Sequence, residues 1–278
     1  MTADVLVFVL LSIGLIGSAD FFGGIASKRS NPFSVAAWSQ WAGFPVIAVV
    51  AVVVGSDVIA KDVLLGVAAG VGSGVGVLAL YRGFSVGAIG VVAPIAATFA
   101  AMLPIVVGLV AGERPSGIVS VGLVLGLVSV VLVGYVPRTA HLSMESLVHG
   151  LVSGAGLAAM VIAYSSTSDE SGLTSAVAGR LTAATIATLA AIAIRAPLKV
   201  SRDAVASTVL AGVLAGVGMG FFVTASQQGD LILVGVAIAL FPAVTVVLAA
   251  LFLHERLART QWFGIVLAFF AVAAISIG

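Results

Sequence analysis

Apolar residues run along this chain in long blocks, and the polar residues between them come in short clusters. A helix needs about 20 mostly apolar residues to cross the hydrocarbon of a bilayer. Ten blocks meet that length and predict spanning helices: Val5 to Ser27, Phe33 to Val54, Val63 to Tyr81, Ala88 to Ala111, Gly117 to Val136, Leu147 to Ser165, Gly172 to Ile194, Ala204 to Ala225, Ile232 to Leu253 and Thr260 to Gly278. The longest link, Pro137 to Ser146, is too short for an extramembrane domain and divides five blocks from five. The expected organisation is therefore a first unit over residues 1–136, a linker over 137–146 and a second unit over 147–278. The opening MTADVLVF lacks the basic stretch of a cleavable signal peptide, so the first block reads as a membrane helix.

The two units share sequence. Gly66 to Gly74 reads GVAAGVGSG and Gly212 to Gly220 reads GVLAGVGMG, identical at seven positions and 146 residues apart. Gly66, Gly70 and Gly74, like Gly212, Gly216 and Gly220, fall four apart, so each trio forms one ridge on a helix. In water each glycine would cost such a helix roughly 1 kcal/mol. In lipid, small-residue ridges are how helices pack closely, so both trios are assigned a structural role. Glu113 and Arg114 recur as Glu255 and Arg256, 142 residues on.

Charge sets the orientation of the two units. Lys and Arg number nine in the odd-numbered links and two in the even-numbered ones, with Arg180 inside a block. By the positive-inside rule the odd links face the cytoplasm and both termini lie outside. Five spans per unit make the second unit thread the membrane in the opposite sense, the arrangement of inverted repeats. The expected fold is an all-α integral membrane protein of ten helices in two inverted five-helix repeats.

Composition agrees with a membrane protein: 61% of residues are hydrophobic and 8% charged, against about 25% charged in soluble domains. A net charge of +1 with no basic run leaves no nucleic-acid footprint. The lack of cysteine removes thiolate catalysis and zinc-thiolate sites. Gly70, Gly72 and Gly74 imitate a dinucleotide fingerprint, but no strand precedes them. His254 and Glu255 lack a second histidine at helical spacing. With no triad, metal cluster or phosphate loop, the expectation is a protein without catalytic residues, cofactor or metal.

Several of these stretches resemble the EamA-like family of the drug/metabolite transporter superfamily. The first copy carries Pro94 and Ile95, LPIV around Pro104, GERPS, then GLVLGLVSVVLVGY; the second carries LFPAVTVVLAALFLHERL, then QWFGIVLAFFAVAAIS. Gly17 to Phe21 is similar to the family's first-helix Gly-Ser-Asn-Phe element, with Asp20 where Asn is common. Arg180 and Leu181 stand where many members carry Arg-Phe or Arg-Leu. The resemblance implies two five-helix repeats and export of amino acids, other metabolites or drugs, and is nearly silent on substrate.

Two ionisable residues lie deep inside predicted spans, Asp20 and Arg180, each costing roughly 2.5–3.5 kcal/mol at a helix centre. Their predicted depths differ by roughly 10 Å. That offset is long for an ion pair and suits a zwitterion with its carboxylate at Arg180 and its amine toward Asp20. The alternative is that both charges are structural. Asp20 is also the proton-coupling candidate, whereas its counterpart Gly156 cannot titrate. Trp38, Gln40 and Trp41 are substrate-binding candidates, with an interfacial belt as the alternative for the indoles. Tyr81 and Arg82 are read as an anchor, and Thr224, Ser226, Gln227 and Gln228 as a polar turn. Pro45, Pro94, Pro104 and Pro242 each remove a backbone donor within a span. Glu113 and Glu255 are assigned to cap the helices that follow them, near Pro115 and Thr260.

The residues together with the resemblance imply a secondary carrier of the cell (inner) membrane that moves amino acids or related amphiphiles by alternating access, with export implied by the resemblance. One alternative is an exporter of cationic, drug-like amphiphiles with Asp20 as counter-ion; a remote one is a membrane-embedded enzyme or lipid-handling scaffold. The partners implied are a small-molecule substrate and the lipid bilayer, with a homodimer left open.

Overall fold

A computed structural model describes residues 2–86, 89–133, 143–253 and 258–277, and within them the chain is all helical apart from its links. The helices are α1 (Ala3–Arg29), α2 (Pro32–Val53), α3 (Ala60–Val86), α4 (Ile89–Ala111), α5 (Gly117–Val133), α6 (Met144–Ser165), α7 (Thr174–Ala193), α8 (Arg202–Gln228), α9 (Leu231–Ile238), α10 (Phe241–Phe252) and α11 (Arg259–Ile277). Seven stretches among the described residues are long and apolar enough to cross a membrane: α1, α2, α3, α6, α7, α8 and the α9–α10 stretch. Shorter apolar segments lie in α4, α5 and α11. Glu255, together with His254 and Arg256, lies outside the described residues, as does His141 in the central link.

Polar residues mark several helix starts. The Asn31 side chain accepts from the amide of Phe33, and Pro32 opens α2 at a position where no backbone donor is needed. Ser143 accepts from the amide of Ser146 at the start of α6.

Two departures from the sequence reading concern helix ends. The third helix runs on to Val86, a turn beyond its predicted end at Tyr81. The predicted span from Ile232 to Leu253 is two helices, parted at Ala239 and Leu240. Pro242 has no N–H to give the carbonyl of Ile238, so the ladder cannot cross this point. α2 nonetheless stays helical through Pro45, and α4 through Pro104.

The glycine ridges are where the two halves of the chain meet. On α3, Gly66 lies against the Ser175 backbone, Gly70 against Gly179 and Gly74 against Ala183, all on α7. On α8, Gly212 lies against the Ser39 backbone, Gly216 against Gly43 and Gly220 against Ile47, all on α2. A methyl on Gly216 would stand 2.8 Å from the Gly43 carbonyl, closer than real contacts allow. Apart from these seams, α1 packs along α8 and α10, α6 along α3 and α4, and α5 along α11.

Hydrogen bonds sort the links into two groups. Ser201 donates from its amide to the Ser30 hydroxyl and from its own hydroxyl to the Arg29 carbonyl, joining the first and seventh links. Arg82 at the end of α3 meets Glu145 at the start of α6 at 3.2 Å. In the other group, Asp62 accepts from the Ser168 amide at 3.2 Å and hydroxyl at 2.5 Å, while the Leu173 amide donates to Ser56. Gln227 at the end of α8 donates to Thr167 and to the Gly172 carbonyl. It therefore belongs to α8 and clasps a neighbouring link, rather than forming the expected polar turn.

Candidate functional site

A cavity of about 80 Å³ lies within the bundle, lined by parts of α1, α2, α3, α4, α6, α7, α8 and α9 and by the α9–α10 break. Its polar lining is Asp20, Ser39, Gln40, Ser73, Tyr81 and Arg180, and the rest is apolar or glycine, including Ile16, Leu157, Met160, Met219 and Phe241. Each half of the chain supplies part of the wall, so the two deep charges share one chamber.

Arg180 on α7 is 5% exposed. Its Nη2 donates to the Gly212 carbonyl at 3.0 Å, and its Nε has no partner among the described residues. The guanidinium has five N–H donors, so a cation that is costly to bury keeps donor capacity beside the cavity. Its seat exists because Gly43 has no side chain: a methyl there would overlap the guanidinium. Tyr81 and Tyr164 both interact with it electrostatically.

Asp20 on α1 is half-buried, and among the described residues it makes neither a hydrogen bond nor an ion pair. The helix that carries it is fixed just before it. Gly17 lies against Phe241 and Val244, and its carbonyl accepts from the Thr245 hydroxyl at 2.9 Å. The broken helix thus braces the segment that presents the carboxyl. Asp20 and Arg180 do not approach within 4.0 Å of each other, in keeping with the offset in depth that their positions predict.

Gln40 is 2% exposed, and its Oε1 has no partner among the described residues. The chamber therefore presents a carboxyl, an amide oxygen and a guanidinium with unused hydrogen-bonding capacity. Ligand pockets are commonly built this way, mostly apolar with a few polar groups that fix orientation.

The structure moves three assignments. Tyr81, read from sequence as an anchor, is 4% exposed and lines the cavity, where it interacts electrostatically with both Asp20 and Arg180. Its hydroxyl fills the space that a side chain at Gly23 would need. Ser73, Val77, Leu80 and Tyr81 form one stripe of α3 at helical spacing, a pattern that is present in the sequence. Trp38 and Trp41, in contrast, do not line the chamber. They are 53% and 38% exposed, and their indole nitrogens donate to the Leu198 carbonyl at 2.7 Å and the Thr188 hydroxyl at 3.0 Å.

Glu113 is the third. Its two carboxylate oxygens accept from the amides of Leu231 and Ile232, each at 2.9 Å. The helix it caps is α9, more than a hundred residues downstream, and not α5 as its sequence neighbourhood suggests. Unpaired amides at a helix start attract an anion wherever the fold brings one.

Long apolar helices and a mostly apolar inner chamber define a multi-pass membrane protein. Residues 145–277 match the model of the EamA-like transporter family. No curated protein matches the chain. A solved structure described only as "Crystal structure of protein" superposes with a TM-score of 0.80 at 14% identity, covering 100% of this chain and 98% of the other. At that identity the likeness shows the fold alone.

Proposed function

We propose that this protein is a secondary carrier of the cell (inner) membrane that exports an amino acid or a related amphiphile by alternating access. The observation that carries this reading is the placement of Asp20 and Arg180 in one chamber without an ion pair between them. The substrate carboxylate is held by Arg180, whose planar donors suit a carboxylate. The amine lies toward Asp20 and Gln40, and the apolar wall receives the side chain.

The carrier is read as ten spans in two inverted five-helix repeats. Its packing supports this, because the contacts are reciprocal. Gly66, Gly70 and Gly74 meet positions 175, 179 and 183, while Gly212, Gly216 and Gly220 meet positions 39, 43 and 47, a constant 136 residues earlier. Likewise α1 packs on α8 as α6 packs on α3, and α1 on α10 as α6 on α4. The links joined by hydrogen bonds are odd with odd and even with even, as expected if every span reverses the chain. Rocking of the two repeats about the chamber would expose it to each side in turn.

Asp20 is also assigned the coupling proton. Counterflow into vesicles tests both roles: Asp20→Asn and Arg180→Gln should each abolish amino-acid exchange if both charges hold the substrate. Retained exchange in Arg180→Gln removes the zwitterion reading. Asp20→Asn that exchanges substrate but no longer concentrates it under a pH gradient leaves Asp20 as the coupling group only.

A further inference from the structure

The groups that hold the substrate leave a second cavity unexplained. A trough of about 490 Å³ opens on the outside of the bundle, lined by Trp38 of α2, Leu198, Lys199 and Val200 of the link before α8, and Arg202, Val205, Thr208 and Val209 of α8. It lies at the end of the molecule where the first and seventh links meet, the more basic end by sequence.

We propose that this trough is a binding site for an anionic phospholipid, with its phosphate between Lys199 and Arg202 and one acyl chain along Val205 and Val209. Three observations carry it. Lys199 and Arg202 are exposed, and neither makes a hydrogen bond or ion pair among the described residues. The acidic residue nearest in sequence, Asp203, stands next to Arg202, and its main-chain carbonyl takes the Arg29 guanidinium at 3.5 Å. Below the charges the trough turns apolar, with Val205 and Val209 45% and 47% exposed. Arg202 to Val209 covers roughly 10 Å of helix, so the lining passes from basic to apolar over the depth at which a lipid passes from phosphate to chain.

The basic rim is also built rather than loose. Trp38 donates to the Leu198 carbonyl, the Ser34 hydroxyl donates to the Pro197 carbonyl, and Ser201 bonds to residues 29 and 30. Trp38 thus fixes one wall of the trough at the level where indoles favour the bilayer interface. Cations beside a membrane helix attract anionic lipid, each contributing roughly a 5-fold preference. The proposal rests on the chain spanning a bilayer and not on what it carries.

The test is lipid retention by the purified full-length protein in mixed micelles, read by native mass spectrometry against equal phosphatidylglycerol and phosphatidylcholine. Wild type should retain the anionic lipid preferentially. Lys199→Gln with Arg202→Gln should lower the ratio by roughly 5-fold per cation, while Lys61→Gln with Arg259→Gln, the same charge loss at exposed positions in the second and ninth links, should leave it within about 2-fold. Val209→Trp, which fills the trough and keeps its charges, should lower anionic-lipid retention as well. Equal retention of both lipids by wild type overturns the proposal. So does an unchanged ratio in the trough variants, or an equal fall in the control pair.

Discussion

Gly43 lies directly against the guanidinium of Arg180, and a methyl at this position would also stand 2.5 Å from the Gly212 carbonyl that Arg180 holds. The seat of the buried cation is thus made by a missing side chain where α2, α7 and α8 meet. Gly43→Ala should overpack this junction at a cost of about 1–3 kcal/mol. The measurement is the thermal unfolding midpoint in detergent, expected to fall, with transport lost in whatever folds. An unchanged midpoint with full transport would mean that Arg180 relocates freely.

Tyr81 interacts with both Asp20 and Arg180, so its hydroxyl belongs to the same polar set. Tyr81→Phe removes only that oxygen from a residue otherwise packed beside Phe84. The expected outcome is normal yield with reduced initial flux in vesicles. Wild-type flux would return Tyr81 to a packing role.

Glu113 ties the link after α4 to the start of α9 through two amide bonds. Glu113→Gln keeps one accepting oxygen and turns an NH₂ group toward the second amide, leaving an N–H against an N–H. Loss of a helix cap costs about 0.5–2 kcal/mol, and here the cap joins the two halves of the chain. Folded yield should fall more than transport per folded molecule. Normal yield with abolished flux would make Glu113 a functional group instead.

The proposed topology is open to labelling, because the chain has no cysteine of its own. Lys28 and Glu170 are both exposed and lie in the first and sixth links. With cysteines introduced singly at these positions, a reagent confined outside the cell should reach the one at 170 and not the one at 28. Labelling of both, or of neither, would contradict the five spans expected between these two links.

Much of this arrangement is legible in the sequence, for physical reasons. Apolar block length reports bilayer thickness, so the helices are visible, and spaced glycines report close packing, so both ridges are too. Charge inside an apolar block is costly enough that Asp20 and Arg180 stand out by position alone. The break at Ala239–Leu240 is less visible, since Pro242 interrupts its helix whereas Pro45 does not, and a proline in an apolar block does not by itself say which will happen. Which amides Glu113 would reach depends on how the two halves dock, and local sequence carries no record of that. Tyr81 reads as a helix-end anchor only because α3 runs a turn further than its apolar block suggests. Trp38 and Trp41 share a face, but their spacing alone does not say whether that face looks inward or outward.

The claim on which the proposed transport cycle rests is that Asp20 and Arg180 grip opposite ends of one substrate. It is tested most directly by equilibrium binding of an amino acid, its methyl ester and its N-acetyl derivative to purified wild type, Asp20→Asn and Arg180→Gln. Wild type should prefer the free amino acid to both derivatives. Arg180→Gln should no longer discriminate against the ester, and Asp20→Asn should no longer discriminate against the acetylated amine. Arg180→Gln that binds the amino acid as tightly as wild type and still rejects the ester would contradict the claim.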